Sequence, residues 1–363
     1  MTGPALFTPS ASDTGALEAL TVGRTDLLDT LTQRITSAAR DGSRPHTLLV
    51  APRGAGKTHT LLVAVHRALA DPASAKMVLP VMIPEDSLAI GSYADLLVEM
   101  ARAIGAETAD QARALRRARD PVGIETVIAA AAAGRMILLA IENLDRVFDA
   151  IGATGQGSLR AWVETSTAVL ILATSPALFR GVSSREYPWY GSFMIETLPE
   201  LTVEDAAELL RRAAQRRGDT DFDTFLQSPD GPARVAAVHR VIGGTPRMWH
   251  LLAECADTPS LDAVTPALAA LLDRLAPQYQ QRLWQLPAGE QRLVVELARG
   301  SVPRSVSELA ETVGVSNQSA SAALGRLAAE GWVTSSKAEG DRRTSWYDVT
   351  DPLLRSYLQH RDG

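Results

Sequence analysis

Cysteine is nearly absent from this sequence of 363 residues, which contains a single one, Cys255. One thiol cannot form an internal disulfide, and it cannot supply a cysteine cluster that holds a metal ion. Cys255 lies in an apolar pattern with helical spacing, so we expect it to be a small core residue.

Long apolar segments are also missing. The alanine-rich run from Ile128 to Ala133 is far too short to cross a bilayer. Residues 1–19 lack the basic segment and the apolar segment that together make a signal peptide. We therefore expect a protein of the reducing cytoplasm that has no membrane partner.

An excess of positive charge is the third absence. The net charge of −6 argues against a protein coated with basic residues, although it leaves room for a local nucleic-acid site. Apolar residues make up 46% and charged residues 21%, as is usual for soluble globular proteins. The length allows two or three domains and a sizeable core.

The most informative stretch is Thr47–Thr60, which reads T-L-L-V-A-P-R-G-A-G-K-T-H-T. An apolar run that predicts a buried strand passes through a glycine-rich turn into an amphipathic helical pattern. Such a turn exposes backbone N–H groups to an anion, and the helix N-terminus adds partial positive charge. Lys57 can reach the β- and γ-phosphates of a nucleotide, and the Thr58 hydroxyl can hold Mg²⁺.

The phosphate-loop motif G-x-x-x-x-G-K-[ST] is matched except at its first glycine, where Ala51 stands. Ala is the smallest substitute, and that position closes the strand rather than the phosphate cradle. The alternative is a glycine turn that merely joins a strand to a helix. The predicted nucleotide-binding residues are Arg53, Gly54, Ala55, Gly56, Lys57, Thr58 and His59.

A second apolar run, from Ile137 to Ile141, ends in Glu142-Asn-Leu-Asp145. It predicts a buried strand that delivers Glu142 to the carboxyl edge of the sheet, where ligands bind in open α/β sheets. A carboxylate there can hold the hydration shell of Mg²⁺ opposite Thr58. The alternative is a strand-end acid that caps the following turn.

Strand and helix patterns alternate through the first two hundred residues. Strands are predicted at 77–83, 168–175 and 193–198, and Thr25 is predicted to cap an early helix. The alternation indicates a parallel sheet covered on both faces. After residue 200 helices dominate, beginning with a capping box formed by Thr202 and Asp205.

The C-terminal part has the order helix, glycine turn, helix, hairpin, which is that of a winged helix-turn-helix. The first turns of the second helix and the tip of the hairpin are the positions that reach base edges and phosphates. The alternative is a winged helix used for protein contact alone, because its second helix carries one cation. The predicted DNA-binding residues are Ser316, Asn317, Gln318, Ser321, Arg326, Lys337, Arg342 and Arg343.

The order of these motifs resembles that of P-loop ATPases of the AAA+ superfamily, and it is most similar to the Cdc6/Orc1-like branch that ends in a winged helix. The resemblance covers nearly the whole chain from about residue 20. It implies an α/β parallel-sheet P-loop core at 20–199 after a flexible tail at 1–19. A helical lid at 200–277 and a winged helix at 278–363 follow.

The resemblance also implies ATP and Mg²⁺ as cofactors. Duplex DNA is the implied partner, together with a homo-oligomer or an assembly with partner proteins in the ATP state. Further residues match family motifs by position. They are Val22, Gly23 and Arg24 beside the adenine, Thr174 (or Ser175) as sensor 1, Arg185 (or Arg180) as an arginine finger acting in trans, and Arg247 as sensor 2 on the lid.

One departure from the family pattern concerns the reaction itself. The family pair Asp-Glu, which orders the metal and activates water, is Glu142-Asn143 here. An amide does not take a proton near neutral pH, so Asn143 can orient water but cannot act as a general base.

Two functions remain open at this point. One is an ATPase that couples its nucleotide state to DNA binding or assembly, and the other is a switch that binds ATP without meaningful turnover. A GTPase or small-molecule kinase is disfavoured, because no Asn-Lys-x-Asp motif is found.

Overall fold

The computed structural model describes residues 14–85, 87, 90–165, 169–257, 264–300, 302–337, 345–351, 354–355 and 357–359. The chain divides into two compact units, Met1–Glu200 and Leu201–Gly363. The first unit alternates strands and helices, and the second is mostly helical.

A five-stranded parallel sheet forms the centre of the first unit, as the sequence predicted. The strands are β1 Thr47–Val50, β2 Val78–Ile83, β3 Met136–Ile141, β4 Val169–Ser175 and β5 Met194–Thr197. Their spatial order is β2-β3-β4-β1-β5. Every residue of β3 and β4 is buried, which explains their uninterrupted apolar runs, because helices cover both faces of such a sheet.

The helices of the first unit pack into two apolar clusters that share the sheet between them. They are α1 Thr14–Ala19, α2 Thr25–Asp41, α3 Lys57–Ala70, α4 Pro72–Met77, α5 Tyr93–Ile104, α6 Ala106–Arg117, α7 Pro121–Ala132, α8 Leu144–Thr165, with a break at Gly152, and α9 Arg180–Ser183. One cluster is built on α5, α7 and α8, and the other on α2 and α3. Helix α1 lies within the predicted tail, and its Leu17 is buried in the second cluster.

The predicted cap at Thr25 is wrong. Helix α2 begins at Thr25 itself, Arg24 occupies the N-cap position, and no side chain among the described residues caps the helix there. The Arg24 side chain instead donates hydrogen bonds to Ala55, Thr60 and Pro199, which are remote from α2 in sequence.

The second unit opens with the predicted capping box, in which Thr202 and Asp205 exchange side-chain and backbone hydrogen bonds. Its elements are α10 Val203–Arg217, α11 Thr220–Gln227, α12 Gly231–Ile242, α13 Pro246–Cys255, α14 Val264–Trp284, α15 Ala288–Arg299, β6 Arg304–Ser305, α16 Val306–Val313, α17 Asn317–Ala329, β7 Val333–Lys337 and β8 Ser345–Val349. The three strands form an antiparallel sheet in the order β6-β8-β7.

The end of the second unit is the predicted winged helix. Helices α16 and α17 meet at Gly314, whose φ of 75° suits the left-handed turn that ends α16. The core beneath them includes Leu309, Leu324 and Leu327, which are fully buried. Of the helices within the described ranges, none is long and apolar enough to cross a bilayer.

The buried His46 gives the first unit a predicted acid sensitivity. It precedes β1, its Nδ1 accepts a hydrogen bond from the Ile171 N–H at 3.1 Å, and its ring meets Trp189 edge-on. Burial lowers the pKa of His46 from 6.5 to about 4, and the nearby Arg44 adds to this. The neutral ring of the folded state therefore opposes protonation that the unfolded chain accepts near pH 6.5.

Stability from this site should be complete above pH 6.5 and should be lost as the pH falls towards 4. A pKa change from 6.5 to about 4 corresponds to ~3 kcal/mol. His46→Asn keeps an acceptor but does not titrate, so its unfolding free energy should fall less between pH 7 and pH 4. Urea unfolding at both pH values measures this, with His66→Asn, on the exposed side of α3, as the control. Equal acid losses in the wild type and His46→Asn would refute the prediction.

Candidate functional site

The turn between β1 and α3 has the backbone of an anion cradle. Gly54 and Gly56 have φ values of 81° and 83°, which favour glycine. Gly56 is the N-cap of α3, and no side chain of the described residues caps that helix. The first N–H groups of a helix lack intrahelical partners, and the helix dipole places partial positive charge there. An anion fits these donors well.

Lys57 lies at the base of this loop. Its Nζ donates to the carbonyl oxygens of Ala51 at 2.6 Å and Pro52 at 3.0 Å. Burial lowers the pKa of Lys57 from 10.5 to about 8, and the neighbouring Arg53 adds to this, while nearby carboxylates act in the opposite direction. The ammonium group is thus held at the loop by the loop's own carbonyls.

Arg24 holds the phosphate loop in position through hydrogen bonds. Its guanidinium is buried and donates to the Ala55 carbonyl at 2.6 Å, the Pro199 carbonyl at 3.1 Å and the Thr60 hydroxyl at 3.1 Å. The resemblance places Arg24 beside the adenine, and these bonds make it a positioning residue of the loop. The pattern around residue 24 gave no sign of this, because all its partners are remote in sequence.

Val22 and Gly23 lie in the same segment, which is tied to the start of α3. The Thr21 hydroxyl and the Nε2 of His59 are 2.8 Å apart. Val22 is half-buried and Gly23 is exposed with a φ of 67°. The segment named by the resemblance therefore borders the phosphate loop through His59.

Thr58 and Glu142 meet as predicted. The Thr58 hydroxyl donates to Oε2 of Glu142 at 2.7 Å, and the glutamate is 6% exposed. Both side chains present oxygen atoms, the ligands that Mg²⁺ prefers when it is held by one or two carboxylates and substrate phosphates. No group of three or more His, Cys, Asp or Glu side chains that could hold a metal occurs in the described ranges. The oxygen pair fits a magnesium ion shared with a nucleotide.

Asn143 has a left-handed backbone, with a φ of 51°. Its N–H donates to the Thr174 hydroxyl at 3.0 Å, and Thr174 is buried at the end of β4. Ser175 donates to the carbonyl of Ala177, so Thr174 is the hydroxyl that bonds to Asn143. The Asn143 amide nitrogen is buried and has no hydrogen-bond partner among the described residues.

Asp145 lies three residues beyond Glu142, in the first turn of α8. Burial raises the pKa of this carboxyl group, against hydrogen bonds and charge that lower it. Its Oδ1 is buried without a hydrogen-bond partner in the part of the chain that is described. Asp145 is thus a carboxylate close in sequence to Asn143 that could accept a proton, whereas Asn143 cannot.

The arginines assigned by motif lie on the surface of the first unit. Arg53 pairs with Glu85 at 3.4 Å, and both are about half exposed. Arg180 pairs with Glu186 at 3.2 Å, and Arg185 lies over the ring of Tyr190 at 5.8 Å. An exposed arginine at either position can be presented to a second molecule.

Arg247 belongs to the second unit, in the first turn of α13. Its Nη2 donates to Oε1 of Gln278 on α14 at 2.8 Å. This bond links the helix of the predicted sensor 2 motif to the helix that leads into the winged helix. The role of Arg247 as a sensor stays a prediction.

The predicted DNA-binding residues of α17 are exposed on its first turns. Ser316 caps the helix by accepting from the Ser319 N–H at 3.2 Å, and Asn317, Gln318 and Ser321 follow it on the surface. Arg326 is different, because it pairs with the buried Glu290 at 2.7 Å. Arg342, Arg343 and the Lys337 side chain lie outside the described residues.

Comparisons with known proteins agree with this architecture. Residues 290–344 match the model of the MarR family. The Walker-type ATPase of Pyrococcus abyssi is similar in structure with a TM-score of 0.61 and 13% identity, over 93% of this chain and 96% of that one. The Aeropyrum pernix ORC2 protein, in ADPNP-ADP complexes, gives a TM-score of 0.62 and 14% identity, over 93% and 94%.

The Aeropyrum pernix ORC1 protein in complex with DNA gives a TM-score of 0.55 and 15% identity, over 96% of this chain and 94% of that one. No curated protein matches the sequence significantly. The chain therefore has the same fold as this Walker-type ATPase and these ORC proteins. Its parts are a parallel-sheet P-loop core, a helical segment and a C-terminal winged helix-turn-helix of the MarR type.

A glycine substitution tests how the loop is held. A Cβ on Gly56 would lie 2.7 Å from Nη1 of Arg24, whereas a Cβ on Gly42, also at positive φ, meets nothing within 4 Å. Gly42→Ala should cost ~1 kcal/mol of unfolding free energy through backbone strain alone. Gly56→Ala should cost ~2–4 kcal/mol, because the Arg24 hydrogen bonds are disturbed as well.

Gly56→Ala should also weaken ATP binding by about tenfold or more, which corresponds to the loss of one or two strong hydrogen bonds. Gly42→Ala should leave ATP affinity unchanged. Urea unfolding and calorimetric ATP titration measure the two effects. Equal losses of unfolding free energy in the two variants would show that a Cβ at position 56 does not disturb the Arg24 hydrogen bonds.

Proposed function

We propose that this chain is an ATP-binding protein of the AAA+ type whose nucleotide state controls DNA binding or assembly through its winged helix. The observation that carries the proposal is the 2.7 Å hydrogen bond between Thr58 and Glu142. It joins the phosphate loop to the acid at the end of β3, although 84 residues separate them. A hydroxyl and a carboxylate meeting beside an uncapped helix N-terminus suit a magnesium-bound triphosphate.

In this proposal the backbone N–H groups of residues 54–58 and the ammonium of Lys57 hold the phosphates. Thr58 and Glu142 hold Mg²⁺, which offsets the charge of the phosphates when it is bound. Thr174 orients the end of β3 by accepting from the Asn143 N–H. The segment Val22–Arg24 borders the nucleotide on the other side.

Assembly completes the proposed site. An exposed arginine of a neighbouring subunit, Arg185 or Arg180, would reach the phosphates in trans, and Arg247 would respond to the nucleotide from the helical lid. Similar structures include ORC proteins, one of them in complex with DNA, which supports duplex DNA as the partner of the winged helix.

A second candidate function is a switch that binds ATP and hydrolyses it very slowly or not at all. The observation that favours it is Asn143, whose amide nitrogen is buried without a partner among the described residues at the position where a general base would lie. A general base contributes about 10²–10⁴ to the rate, so its absence alone would leave slow turnover. Asp145, with its raised pKa, is the remaining candidate for the base.

Steady-state hydrolysis of ATP with Mg²⁺, with and without duplex DNA, separates the two functions. An active ATPase should lose about 10²-fold or more of its rate in Lys57→Ala, because a charged contact to the phosphates is removed. Asn143→Glu should raise a slow rate by about 10²-fold or more if the missing base limits turnover. Asp149→Ala, at an exposed position further along α8, is the control.

Each result assigns the function. Turnover in the wild type that Lys57→Ala abolishes identifies a working ATPase. ATP binding without turnover, rescued by Asn143→Glu, identifies a nucleotide-held switch. If no ATP binds to the wild type by calorimetry, the proposed function is wrong.

The salt dependence of DNA binding tests whether the hairpin of the winged helix, here called the wing, contacts DNA phosphates. Each phosphate contact releases about one counterion, so the logarithm of the DNA association constant should fall linearly with the logarithm of the salt concentration. Lys337→Ala should reduce the magnitude of that slope by ~0.9. Lys76→Ala, exposed on α4 of the first unit, should leave the slope unchanged. Fluorescence anisotropy between low and physiological salt measures both slopes. A flat response in the wild type would mean that the wing does not contact phosphate.

A further inference from the structure

The outward face of the first two turns of α17 is polar and uncharged. The opposite side of the helix points into the core and consists of Ala320, Ala323, Leu324 and Leu327. The outward side carries two carboxamides followed by two hydroxyls. These exposed polar side chains are Asn317, Gln318, Ser319 and Ser321.

Some polar side chains of this face are hydrogen-bonded within the protein, and others are available to a ligand. Ser316 and Ser319 bond to each other at 2.9 Å as part of the helix cap. The side chains of Asn317, Gln318 and Ser321 make no hydrogen bond within the described part of the chain. Two adjacent carboxamides are therefore the largest available hydrogen-bonding groups at the start of the helix.

The cation of α17 is already engaged. Arg326 contacts Oε1 of Glu290 through Nε at 2.8 Å and Nη2 at 2.7 Å, and Glu290 is 4% exposed. Withdrawing Arg326 would leave a buried carboxylate without its counter-charge, which is strongly unfavourable. The Arg326 side chain is 61% exposed but is held in this ion pair, and the first two turns of α17 carry no arginine or lysine.

A surface with carboxamides and no cation favours adenine over guanine. Guanine is read by the paired donors of Arg or Lys on its O6 and N7, whereas adenine is read by an Asn or Gln carboxamide that accepts from N6 and donates to N7. A second helix of a helix-turn-helix places its first turns against base edges in the major groove. Successive helical residues point about 100° apart, so two neighbouring carboxamides reach different base pairs.

We propose that Asn317 and Gln318 determine base specificity and that the winged helix recognises duplex DNA carrying adenine at two nearby positions of the site. The inference rests on the proposed function, because it requires the winged helix to bind duplex DNA. It adds the class of sequence bound and the two residues that read it.

The first experiment selects duplexes from a library with a randomised centre, using the full chain with ATP and Mg²⁺. Recovered sites should carry adenine at two positions, and guanine at either should weaken binding by about tenfold or more. Asn317→Ala should remove the preference at one position and Gln318→Ala at another. Gln280→Ala, an exposed carboxamide on α14, should keep both preferences.

A second measurement uses the wild-type protein, so it does not depend on how the variants fold. Replacing adenine by 7-deazaadenine at each preferred position removes N7 and keeps Watson–Crick pairing. Affinity measured by anisotropy should fall at those two positions and at no other adenine.

The outcomes separate the inference from the proposed function. Selected duplexes that carry guanine at the preferred positions would overturn the inference and leave DNA binding intact. The same conclusion would follow if neither variant changed the base preference and 7-deazaadenine did not change the affinity. Failure to bind any duplex, with or without ATP, would overturn the inference together with the DNA-binding part of the proposed function, whereas ATP binding and assembly would be judged by their own tests.

Discussion

The hydrogen bond between Thr58 and Glu142 is the contact on which the proposed site depends. The two residues follow strands that are not neighbours, because β4 lies between β1 and β3. Adjacent strands are about 4.8 Å apart, so the two side chains must bridge the width of the strand between them. The glutamate, which is longer than an aspartate by one methylene group, reaches Thr58 across that gap.

Strand β4, which lies between β1 and β3, also supports the site. Thr174 ends β4 and accepts from the N–H of Asn143, which has a left-handed backbone conformation after β3. Arg24 supports the far side of the phosphate loop through its bonds to Ala55, Thr60 and Pro199. The loop is therefore positioned from both sides by groups that are remote in sequence, while its own glycines provide only the backbone shape.

In each unit, one cationic side chain is held by oxygen atoms of the protein itself. In the first unit, Lys57 is buried among carbonyl oxygens and acts within the loop. In the winged helix, Arg326 provides the counter-charge of the buried Glu290. A count of cations along the sequence treats Arg326 as a free DNA contact, whereas the structure shows its guanidinium paired with Glu290. What remains on the first turns of α17 is hydrogen-bonding chemistry.

The sequence by itself determined the features that are local. Strand β1, the glycine turn and α3 follow from an apolar run, two glycines and helical spacing, and the capping box of α10 follows from the three-residue separation of its members. The parallel sheet and the winged helix followed from the order of such elements. Only the tertiary structure decided that Arg24 holds the phosphate loop, that Thr174 rather than Ser175 meets Asn143, and that Arg326 pairs with Glu290. These contacts depend on strand order and helix packing, which bring together side chains that no local pattern relates.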